Sequence, residues 1–117
     1  MGRKIIFYKS KTGNCPVEEF LDSLSGKQAQ KVVWVLRLID EFEVVPSQYF
    51  KKMVNTKDLW EVRVSQASNI FRFLSFMDGD QLVVLCHAFQ KKTQKTPLPA
   101  IRLAEDRKLD YFRRKKK

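Results

Sequence analysis

The sequence holds only two cysteines, one histidine and no apolar run long enough to be a secretory or membrane-spanning segment. Cys15 and Cys86 are too few and too far apart for a disulfide framework. One histidine with two cysteines cannot complete a standard four-ligand zinc site. Two free thiols fit a reducing compartment. After Arg3-Lys4 comes only Ile5-Ile6-Phe7-Tyr8, too short for a signal-peptide core, and Ile6 stands where a myristoylation motif needs Ser or Thr. These absences predict a cytoplasmic chain with no metal, no small-molecule cofactor and no membrane attachment.

What is abundant is positive charge and aromatic bulk. The 117 residues suit a single domain spanning 1–117, and 44% are hydrophobic, including nine Phe and two Trp, enough for a real core. The formal net charge is +10, which favours polyanionic partners without choosing a fold. It is also segregated. From Lys91 to Lys117 eleven Lys/Arg face three acids, a net of +8, leaving +2 for the first ninety residues. Such segregation predicts a nucleic-acid footprint.

Hydrophobic periodicity divides the chain in two. Ile5–Lys9 predicts a short strand, ended by a polar stretch around Gly13. Pro16 suits a first helical position, and Val17, Phe20, Leu21 and Leu24 follow at helical spacing, with Ser25-Gly26 as the stop. A second helix is predicted over Lys27–Phe42. Ala29, Val32, Val33, Leu36, Ile39 and Phe42 would line its buried side, widened by Trp34, Val35 and Leu38. Beyond Pro46 the period changes to that of strands: Tyr49–Val54, Leu59–Val64, Ile70–Met77 and Leu82–Phe89. Asp78-Gly79-Asp80 is a hairpin turn by composition. Strands this close in sequence must pair antiparallel. Thr96-Pro97 would cap a closing helix. The predicted order is β-α-α-β-β-β-β-α, an α+β fold with two helices on one sheet face and the other face partly open.

Simple alternation sorts the strand residues. Glu61 and Arg63 fall opposite Trp60, Val62 and Val64, while Val83, Leu85, His87 and Phe89 should point together. Arg63 and Arg72 lie on strands that should pair. Either acids such as Glu61 satisfy them as surface ion pairs, or the two arginines clamp a phosphate. His87 is either an ordinary half-buried ring or a proton carrier at neutral pH. Lys91, Lys92 and Lys95 make a basic loop, with Gln90, Thr93 and Gln94 interleaved. Phe89, Tyr111 and Phe112 either pack in the core or offer flat surfaces for a nucleobase.

The runs Leu59-Trp60-Glu61-Val62-Arg63, Phe71-Arg72 and His87-Ala88-Phe89-Gln90-Lys91-Lys92-Thr93-Gln94-Lys95-Thr96-Pro97 resemble the phage Gp49-like branch of the HigB/RelE toxin superfamily. Pro16-Val17, Glu19-Phe20-Leu21 resembles its first helix, although Cys15 stands where Ser commonly precedes the Pro. The resemblance implies a RelE/ParE-like fold and a type II toxin. Such a toxin is a metal-independent mRNA endonuclease working in the ribosomal A site, neutralised by a HigA-like helix-turn-helix antitoxin. It further implies that Arg63 and Arg72 hold the scissile phosphate and that His87 moves a proton. Lys92, beside Lys91, would stabilise the transition state or leaving group. Lys95 and the tail from Arg113 through Arg114 and Lys115 to Lys117 would contact RNA backbone. Two other readings share the fold: a ParE-like gyrase inhibitor that cuts nothing, and a non-catalytic RNA-binding or regulatory module.

Overall fold

The computed structural model describes residues 2–91 and 95–116. Its elements follow the predicted order: β1 (Lys4–Phe7), α1 (Pro16–Asp22), α2 (Gly26–Glu41), β2 (Phe50–Lys52), β3 (Leu59–Gln66), β4 (Asn69–Asp78), β5 (Leu82–Gln90) and α3 (Leu98–Lys115). They form one five-stranded sheet ordered β1-β5-β4-β3-β2. The last four strands pair antiparallel, as their short connections require, whereas β1 joins β5 in parallel and makes the sheet mixed. The two helices between β1 and the rest of the sheet give the chain room to return in that direction.

Local chemistry sets the helix boundaries. Pro16 opens α1 at a position whose N–H has no helical partner. Ser25 does more than stop α1. It caps α2 in a reciprocal box, accepting from the Gln28 amide (3.3 Å) while its own amide donates to Gln28 Oε1 (3.0 Å). Gly79 takes φ +73° in the β4–β5 hairpin, as that turn demands. At α3 the expected cap is corrected. Pro97 is the N-cap residue without a side-chain bond, and the Thr96 hydroxyl turns away to Glu61.

Each sheet face is covered by helix. On one, Val32, Val35 and Ile39 of α2 and Val17 of α1 pack on Val62, Val64, Phe71, Phe73, Val83 and Leu85. The Phe20 ring meets Phe71 and Phe73 edge-on at 6.0 and 5.8 Å. The buried stripe of α2 is narrower than the sequence suggests. Val33, Trp34 and Phe42 are exposed, because only one side of the helix meets the sheet. On the opposite face α3 lays Ala100 and Ala104 over Leu59, Leu74, Phe76, Val84 and Cys86. Only the part of that face around Arg63 lies beyond this apolar seam.

The far end of α3 is fastened to the sheet by polar contacts. Tyr111 donates to Asp78 Oδ2 (2.8 Å), Lys115 Nζ reaches the same carboxylate (2.6 Å), and the Tyr8 hydroxyl donates to Asp110. Among the described residues no helix is long and apolar enough to cross a membrane.

Candidate functional site

The β3–β4 pairing sets Arg63 directly opposite Arg72, and Glu61 opposite Leu74. These side chains share the α3-side face, because alternation sends Val62, Val64, Phe71 and Phe73 to the other. Next along the rows, β5 pairs Phe89 with Arg72 and His87 with Leu74. Lys91 follows immediately, its amide held by the Ile70 carbonyl at 2.7 Å. The sheet thus gathers Arg63, Arg72 and Lys91 near a single carboxylate, Glu61.

Of the two readings of Arg72, the ion pair with Glu61 is the one the structure shows, and it lies below the surface rather than on it. Arg72 is only 7% exposed, and its Nη1 donates to Glu61 Oε2 in a close ion pair. Its buried Nε has no hydrogen-bond partner among the described residues. The same Glu61 oxygen accepts from the Thr96 hydroxyl (3.3 Å), tying the chain before α3 to β3. Arg63 is half-buried. The Lys91 ammonium has its pKa held below its ordinary value, first by burial and then by repulsion from Arg72 and Arg63, with Glu61 opposing. Three cations against one carboxylate leave an uncompensated positive site suited to an oxyanion.

The face of His87 is a correction. Ser75 pairs with Leu85, yet Leu74 pairs with His87, so Cys86 is an extra residue bulged into β5. The bulge reverses alternation from that point. Val83 and Leu85 pack beneath α1 and α2, whereas Phe89 packs beneath α3 and the His87 ring meets Arg107 of α3. The bulge also turns the Cys86 carbonyl toward α3, where Arg107 Nη1 donates to it at 2.6 Å and lies 3.5 Å from His87 Nδ1. Burial and then the Arg107 charge push the His87 pKa below its ordinary value, so the ring is neutral at pH 7. Sequence reasoning missed Arg107. Simple alternation already puts Cys86 with Val84, so nothing in the sequence marks the bulge that brings the Cys86 carbonyl and His87 to Arg107.

The remaining predicted residues separate. Lys92 lies outside the described residues. Lys95 is exposed and lines a cleft of about 470 Å³ with Thr96 and Glu61. Arg113, Arg114 and Lys115 sit in the last turn of α3, at the opposite end of that helix from Thr96. Arg114 bonds Asp110 (2.8 Å) and Lys115 bonds Asp78, so two of the three tail cations already hold the fold together. Phe112 packs against Phe76 (5.6 Å), and Tyr111 does likewise (5.2 Å), serving the core.

The family model described as "Phage derived protein Gp49-like" matches residues 19–109, from α1 into α3, and so spans every residue of the cluster. A search of curated proteins finds no match. The sheet order, the arginine pair and the family match point the same way: this chain belongs to the Gp49-like phage-derived protein family, a family of RelE/HigB-like toxins.

Proposed function

We propose that this protein is the toxin of a type II toxin–antitoxin pair and acts as an endoribonuclease on ribosome-bound mRNA. The observation that carries the reading is the cluster of Arg63, Arg72 and Lys91 around one carboxylate. In the proposed reaction the RNA 2′-oxygen attacks the adjacent phosphorus as the bond to the 5′-oxygen breaks. The products are a 2′,3′-cyclic phosphate and a 5′-hydroxyl. Arg63 and Lys91 contact the phosphate, and Arg72 adds positive potential from beneath them, where low dielectric strengthens it. Neutral His87 is the candidate proton acceptor, and Lys92 the candidate for charge on the leaving oxygen.

The partner that neutralises such a toxin is an antitoxin, here proposed to be of the HigA-like helix-turn-helix type. Controlled expression in bacteria, with primer extension on a reporter message, tests the activity. Growth arrest with cuts that need ribosomes is expected, and Arg63→Ala, which should remain folded, is expected to abolish both. Arrest with intact message would refute the nuclease. A second reading, protein-contact inhibition of a gyrase type, draws on the exposed Val33 and Trp34 of α2 and Phe42 just after it. Inhibited supercoiling with uncut mRNA would favour it.

A further inference from the structure

A cleft of about 470 Å³ lies between the β2–β3 hairpin and the start of α3, and no part of the phosphate reading uses it. Its size falls within the roughly 300–1,000 Å³ typical of small-ligand pockets. Met53, Val54 and Ile101 supply apolar lining and Lys51 and Lys95 positive charge, while Lys52 on the rim is paired with Asp58 (3.2 Å). Val54, on the rim of the cleft, is 80% exposed.

The hairpin wall is built rather than loose. Thr56 Oγ1 donates to the Met53 carbonyl and accepts from the Leu59 amide, both at 3.2 Å. From α3, Glu105 accepts from the Lys57 amide (3.0 Å) and Lys108 donates to the Lys57 carbonyl (2.7 Å). Asn55 and Asp58 hold φ values of +58° and +57°, the left-handed turn conformation that Asn and Asp adopt most readily after glycine. The hairpin and α3 therefore face each other across a fixed gap.

Glu61 joins this gap to the arginine cluster. It lines the cleft and, through Oε2, also holds Arg72. A polyanionic strand bound at Arg63 and Lys91 must continue past the cluster, and the adjoining channel offers lysines for its phosphates and apolar surface for a base. We propose that this cleft seats a nucleotide of single-stranded RNA next to the phosphate held by Arg63. The base would lie against Val54 and Ile101, and Lys51 and Lys95 would meet the flanking backbone. The proposal rests on the RNA-cleaving reading above and adds a specificity subsite to it. Stacking and charge pairing of this kind tolerate many sequences, with preference set by base size and shape.

The test uses the full chain and a short single-stranded RNA, 2′-O-methylated throughout so that it cannot be cut, carrying 4-thiouracil for photo-cross-linking. Cross-links are expected on the segment from Met53 to Asn55. Val54→Asp, which replaces apolar contact with a negative charge that repels the strand, should weaken binding about tenfold, while the thermal midpoint stays at the wild-type value. Val44→Asp, at an 86% exposed position outside the cleft, should bind as wild type does. Cross-links confined to the Arg63 face, with Val54→Asp binding normally, would overturn the subsite and leave the phosphate reading standing. No RNA binding by the wild type would overturn both. Normal RNA binding by Val54→Asp with loss of antitoxin affinity would overturn the subsite in favour of a peptide surface.

Discussion

Removing the Glu61 carboxylate should unfold this protein more readily than removing the whole ion pair. The two side chains are 9% and 13% exposed, so the pair is a buried one. In Glu61→Ala the Arg72 guanidinium stays beneath the surface, opposite Arg63 and close to Lys91. Breaking a buried pair from one side costs about 3–5 kcal/mol, because an uncompensated charge remains. Against a total stability of about 5–15 kcal/mol this is a severe loss. For a domain of this size it lowers the thermal midpoint by roughly 10–20 °C. Glu61→Gln keeps an acceptor for Arg72 and should cost about 1.5–3 kcal/mol, the worth of a hydrogen bond to a charged group. The double variant Glu61→Leu with Arg72→Met removes both charges and should return close to wild-type stability. Urea titration of the four proteins at low salt checks the series. If Glu61→Ala lies within about 1 kcal/mol of wild type, the pair is screened like a surface contact and the buried-charge reasoning fails.

Three further outcomes follow from groups held away from their ordinary chemistry. Burial pushes the Cys86 thiol up to about 12, so iodoacetamide should not label it in the folded protein and should label it in denaturant. The depressed His87 pKa means that the unfolded chain takes up a proton first as pH falls, so stability should decline from pH 7 towards pH 5. His87→Gln should flatten that slope in urea titrations run across this range, and an unchanged slope would remove His87 as its cause. Asp78→Ala deletes the acceptor of both Tyr111 and Lys115 and should cost about 1–2 kcal/mol. Faster hydrogen exchange confined to the last turns of α3 is the local signature to look for.

Much of the frame could be read from one dimension because it is local. The two-residue link after Gln66 forces β3 back along β4, and that hairpin alone brings Arg63 level with Arg72. Helix starts at Pro16 and the glycine turn at Gly79 were equally visible. Contacts that depend on distant segments were not. The parallel seat of β1 on β5 depends on where α1 and α2 carry the chain. The Glu61–Arg72 pair is local to the β3–β4 hairpin and legible in the sequence, but its burial and its tie through Thr96 to the segment leading into α3 are not. His87 was assigned to the wrong face because a bulge adds one residue to a period of two, and every later side chain changes sides. The tail lysines and arginines looked equivalent as a charge run. Tyr8 and Asp110 are 102 positions apart, and only the folded chain shows that this end of α3 is a fastening.

Setting Arg63 level with Arg72 also makes the measured stability of the protein a property of its solvent. Any anion that binds at Arg63 and Lys91, above the buried Arg72, in the folded chain and not in the unfolded one, adds stability by mass action. At a hundredfold excess over its dissociation constant the gain is about 2.7 kcal/mol. The same chain should therefore melt higher in phosphate or sulfate than in chloride of equal ionic strength. A preparation that still carries cellular polyanion would look more robust than the protein itself.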